Sequence, residues 1–146
     1  MYGIQTSFDN GVYDVAVHCS VRNGLTEWFL VVDAPENTSF VNQIHIETDH
    51  NYCVYLDRPY RMSYIMDKPK MAVVHGTAVP YQDHTKYKRS IFRITERDLA
   101  HIQSDVLLNM SVIDKYDIKY TSGKRECKHI RTYITKSHKT MQKMIV

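Results

Sequence analysis

The residues of this chain best suited to chemistry are its histidines and the hydroxyls, lysines and carboxylates beside them. His75-Gly76-Thr77 lies in an apolar run, Val73 to Ala78. A histidine two residues from a hydroxyl can hold a phosphate oxygen and pass a proton, provided that a second acid–base group faces it. His45-Ile46-Glu47 and His129-Ile130-Arg131 repeat the spacing, but with a carboxylate and a guanidinium in place of the hydroxyl. His84 stands in a polar stretch with Tyr81, Lys86 and Lys88. Such a set could cleave a phosphodiester without metal: histidine as base, lysine stabilising the developing charge, tyrosine orienting. On that reading the catalytic residues are His75, Thr77, His84 and Lys86. The structural alternative makes His75 a solvent-facing strand residue with Gly76 at a bulge, and His84 part of a solvated loop.

A second constellation is His45, Glu47, Asp49 and His50, an imidazole-and-carboxylate cluster with donors suited to zinc or another divalent ion. Metal ligands usually come from separated segments, and no second cluster stands out in the sequence. The expectation is therefore an acidic edge strand that discourages unwanted pairing, with no metal and no cofactor. The cysteines Cys19, Cys53 and Cys127 are odd in number, widely spaced and without a CxxC pair, which predicts free thiols.

Charge is sorted along the chain. Residues 1–57 hold eight acids and one base, whereas residues 115–146 hold nine bases and two acids. The total of +3 hides an acidic front and a basic back. Such poles can neutralise each other inside one domain, or meet between copies or partners. The basic set Lys124, Arg125, Lys128 and Arg131 and the acidic set Glu36, Glu47, Asp49 and Asp57 are the binding residues this reading selects. Tyr116, Tyr120 and Tyr133 interleave with the bases as stacking platforms for nucleic acid, a weaker expectation because the acidic front would repel a phosphate backbone.

The elements that position these residues follow a period of two. Tyr13, Val15, Val17, Cys19 and Val21 alternate with polar residues, Asn23-Gly24 marks a tight turn, and Glu27 to Asp33 runs back as an apolar strand. Further strands are predicted over 40–48, 52–56, 60–66, 71–79, 91–95, 106–113, 115–120 and 126–135. A polar loop is read over 80–88, and a second hairpin turn at Ser122-Gly123. Thr95 or Ser104 could cap a short helix in Glu96 to Ile102. The prediction is an all-β chain: an antiparallel β-sandwich of about nine short strands with one helical turn near 96–103, forming a single domain over residues 1–146. No basic-then-apolar leader opens the sequence, and no run reaches the roughly 18 apolar residues of a membrane helix. Synthesis in a reducing cytosol, with no membrane partner, is the expectation.

Residues 90–133 carry a resemblance. A strand leads into the short acidic turn Thr95-Glu96-Arg97-Asp98-Leu99, then the strand Asp105 to Val112, then a hairpin closing on Ile130 to Ile134. This order is similar to immunoglobulin-like β-sandwich modules of phage baseplate, head and fibre proteins. Val106 and Leu107 stand where those modules carry a tyrosine. The resemblance implies a non-enzymatic structural or assembly protein of viral origin, working through protein contacts and incorporated in a virion. His75-Gly76-Thr77 also resembles half of the signature of two-histidine phosphoesterases, whose second half has no match here. The function expected is charge-complementary assembly, with self-contacts head to tail. The alternatives are a metal-independent phosphodiesterase acting on a nucleotide or RNA, and a small viral inhibitor of a host protein or nucleic acid.

Overall fold

A computed structural model of the chain describes residues 6–7, 13–105, 107–116 and 119–122. They form eleven strands and one helix: β1 (Thr6–Ser7), β2 (Asp14–Arg22), β3 (Leu25–Pro35), β4 (Val41–Thr48), β5 (Cys53–Leu56), β6 (Arg61–Ile65), β7 (Lys68–Val74), β8 (Thr77–Asp83), β9 (Tyr87–Ile94), α1 (Glu96–Ser104), β10 (Leu107–Asp114) and β11 (Lys119–Ser122). All pairings are antiparallel. One sheet runs β1-β2-β3-β9-β6, a second runs β11-β10-β4-β5, and β7-β8 stands apart as a two-stranded ribbon.

The alternation read in the sequence sets which face of each strand is covered. In β2, Val15, Val17 and Cys19 are buried, and in β4, Val41, Ile44 and Ile46 are buried. Together with Leu30, Val32 and Phe92 from the first sheet and Val54, Met110 and Val112 from the second, they make one hydrophobic core between the sheets. Each such side chain contributes roughly 1.5–3 kcal/mol on leaving water. The fold is thus an all-β sandwich.

The helix closes one end. Thr95 is its N-cap, its hydroxyl accepting from the Asp98 backbone N–H at 3.1 Å, and Glu96 and Asp98 lie in the first turn where the helix dipole favours acids. Leu99 and Ile102 reach into the core.

Two hairpins share one turn geometry. Asn23 and Gly24 have φ of 53° and 76°, joining Arg22 to its partner Leu25. His75 and Gly76 have φ of 49° and 79°, joining Val74 to Thr77. Positive φ at both central residues is the type I′ geometry, whose twist matches the flanking strands. The strand expected over 71–79 is therefore two strands, and Gly76 sits in a turn rather than a bulge. The loop expected over 80–88 is mostly strand, with Pro80 to Asp83 in β8 and Tyr87-Lys88 in β9. The strand expected over 115–120 is displaced to β11, with Ser122 still paired to Met110. The turn at Gly123 and the strand expected over 126–135 lie outside the described residues.

Candidate functional site

The β7–β8 ribbon is built in two parts. Its base is held by charge. Asp33, only 2% exposed on β3, accepts from Lys68 Nζ at 2.7 Å and from Arg89 Nε and Nη2 at 2.8 and 3.0 Å. Lys68 also reaches Asp14 at 3.1 Å, and Lys70 bridges to Asp83 at 2.9 Å and to the Tyr87 hydroxyl at 2.8 Å. Burial acts to raise the Asp33 pKa, but the bonds from Arg89 and Lys68 outweigh it and hold the carboxyl below its ordinary value. Hydrogen bonds from Tyr87, Thr85 and Lys70 hold Asp83 well below the carboxylate range. At the edge of the base, His84 Nδ1 lies 2.5 Å from Asp67 Oδ1, both side chains exposed.

Beyond that anchor the ribbon is bare. From Val73 to Gln82 every residue is exposed, on both faces of the ribbon. Met71 is 62% and Val73 77% exposed, and Val74, Val79 and Tyr81 are exposed as well. Residues 71–82 contain no Asp, Glu, Lys or Arg. The tip extends roughly 15 Å past Lys70 at about 3.3 Å per residue. It is an uncharged apolar arm.

The same molecule has a second apolar feature. β6 is the outermost strand of the first sheet, and among the described residues it pairs with β9 alone. Along it Met62 and Tyr64, flanked by Tyr60 and Met66, are exposed. Tyr60 rests against Phe29 at 5.6 Å between ring centroids, and Tyr64 against Phe40 at 5.4 Å.

The residues selected from sequence scatter over this frame. His75 turns the arm tip and Thr77 follows it, whereas His84 and Lys86 lie at the base. The seven residues of β8 alone separate the two histidines by roughly 20 Å, so the structure does not gather His75, Thr77, His84 and Lys86. Lys86 instead covers the Tyr64 ring at 4.4 Å and lies 3.5 Å from Glu36. A shallow cavity of about 270 Å³ between Thr26, Trp28 and α1 is lined also by Glu96, Leu99, Ala100 and Gln103, with no histidine.

Of the acidic set, Glu47 accepts from Asn109 Nδ2 at 2.8 Å, Asp49 lies 3.3 Å from His50 Nδ1, and Asp57 is exposed after β5. Lys124, Arg125, Lys128 and Arg131 lie outside the described residues. Within them, much of the acidic front is already matched: Asp14, Asp33, Glu27 and Glu36 face Lys68, Lys70, Arg89, Arg93 and Lys86. β11, at the start of the basic segment, also shares a sheet with β4, the strand of Glu47, with β10 between them; β4 pairs on both sides, with β10 and β5, so it is an inner strand and not the acidic edge expected.

The histidine–carboxylate cluster is partly reassigned. His45 packs against the Tyr55 ring at 4.6 Å. Asp49 and His50, in the turn after β4, meet Asp105 at the end of α1, with His50 Nδ1 2.8 Å from Asp105 Oδ1. His101 Nδ1 contacts the other Asp105 oxygen at 2.8 Å, and its ring stacks on Tyr52 at 3.5 Å. His101 and Asp105 were legible only as a four-residue spacing at a helix end. Cys19 and Cys53 are free thiols.

No protein family, curated protein or solved structure matches the chain.

Proposed function

We propose that the chain is a non-enzymatic assembly protein that joins copies of itself, the β7–β8 arm of one copy seating on the β6 edge of the next. The observation that carries this is the uncharged arm, apolar and exposed on both faces yet fixed at its base by buried ion pairs. An apolar projection of that kind is costly in water unless it meets a partner. The exposed strip of Tyr60, Met62, Tyr64 and Met66 has matching apolar chemistry, and an outer strand can accept another strand. Because arm and strip are different patches, the contact is heterologous and repeats into a ring or filament. The resemblance of residues 90–133 to phage virion modules supplies the setting: a component of a phage particle or of its assembly.

This differs from assembly through opposite charged poles in one measurable way. Apolar contacts persist when salt shortens electrostatic range to a few ångströms, near 0.5–1 M, whereas contacts between charged poles dissolve. Sedimentation velocity over a concentration series tests it. The wild-type chain forms species beyond a dimer that survive high salt, and Val73→Lys with Val79→Lys is monomeric. A wild-type monomer at every concentration, or assembly indifferent to both lysines, overturns the proposal.

A further inference from the structure

We propose that Asp49, His50 and Asp105 form a binding site for a divalent transition-metal ion of the zinc class. This site is independent of the arm and of the assembly reading.

His50 Nδ1 is the centre of the site. Asp105 Oδ1 lies 2.8 Å from it and Asp49 Oδ1 3.3 Å, and the donor atoms of the three residues all fall within 4.8 Å of one another. Two carboxylates converging on one imidazole nitrogen place a proton on it, donated between them, and a metal ion can take that proton's place. In a tetrahedral zinc site, bonds of about 2.0–2.2 Å set ligand atoms roughly 3.3–3.5 Å apart. A separation of a few tenths of an ångström between His50 and Asp105 admits an ion, and its coordination releases the Nδ1 proton to solvent. One imidazole and two carboxylates are a donor set that zinc accepts, with water completing the shell.

Three further features favour a cation there. Asp105 is oriented from behind: its side chain is 5% exposed, and Oδ2 is held by His101 and Oδ1 by Ser104 at 3.1 Å. His101 is itself fixed by stacking on Tyr52, whose hydroxyl donates to Asp98 at 2.7 Å. Partners of this kind orient a ligating carboxylate and are typically worth about 10–100-fold in metal affinity. Asp105 is the C-cap of α1, so the negative end of the helix dipole points at the site. His50, by contrast, is 66% exposed, which leaves the solvent side open for entry. A bound ion would tie the β4–β5 turn to α1 across 55 residues of sequence.

The test titrates the full-length chain with Zn²⁺ by calorimetry and with Co²⁺ by visible absorption. One equivalent should bind, with the intense d–d bands of a low-coordinate site. His50→Gln, at an exposed position that folding tolerates, should weaken binding by at least about tenfold, and His101→Phe, which keeps the ring stack, by about 10–100-fold. His84→Gln, which breaks an exposed histidine–aspartate pair with no third ligand among the described residues, should leave affinity unchanged. The absence of a one-to-one event overturns the site. So does binding that survives His50→Gln, since the ion is then held elsewhere.

Discussion

The sharpest consequence of the anchored arm concerns Asp33. Replacing it by asparagine keeps the side-chain volume but removes a negative charge that three charge-assisted bonds converge on. Lys68 is only 8% exposed, so its ammonium cannot simply return to water. Removing one partner of a buried ion pair typically costs about 3–5 kcal/mol, because the other charge is left uncompensated. Asp14, 3.1 Å from Lys68, retains part of the compensation. The expected loss for Asp33→Asn is thus near the lower end, about 3 kcal/mol. For a chain of this size that lowers the melting temperature by roughly 6–12 °C. Differential scanning calorimetry reads the shift, and urea denaturation the free energy. The exposed pair of Arg93 and Glu27, at 3.4 Å, is the control: Glu27→Gln should cost at most about 0.5 kcal/mol. Hydrogen exchange adds a local readout, since backbone amides of β7 should lose protection in Asp33→Asn beyond the global change. An Asp33→Asn loss below about 1 kcal/mol would mean that the buried charges do not hold the ribbon.

Two further outcomes follow from the same structure. Asp33 and Asp83 titrate below their ordinary values in the folded chain, so their contribution is present above an unfolded carboxylate pKa of about 3.9 and is lost as pH falls through the folded values. Stability measured by urea midpoint should therefore fall from about pH 5 downward, and Asp33→Asn should flatten that slope. Thr95→Ala removes the helix cap and should cost about 1 kcal/mol by the same midpoint, with Thr95→Ser restoring most of it.

What the sequence discloses here depends on how far apart the interacting residues are. The alternation of β2, the Asn23-Gly24 turn and the Thr95 cap act within a few residues, and all three are readable as text. His75-Gly76 acts locally too, but apolar residues on either side disguise it as mid-strand. Histidine tolerates the left-handed region better than most residues, and that is the signal a reading of the arm needed. β8 left no periodicity because both of its faces are exposed, and alternation records burial on one face only. The tie of Asp33 to Lys68 and Arg89, and the meeting of Asp49 and His50 with Asp105, join residues 35 to 56 positions apart. Only the topology brings them together, which is why Asp49 and His50 were visible as candidates while Asp105 and His101 were not.

If the arm becomes buried against another copy, a cysteine near its tip should be shielded on assembly. Val73→Cys places a thiol at the most exposed large apolar position among the described residues, and peptide mapping separates its maleimide adduct from those of Cys19, Cys53 and Cys127. Labelling should run at the rate of a free thiol in dilute solution and slow by at least about tenfold as concentration drives assembly. A rate that stays constant while larger species form would contradict it.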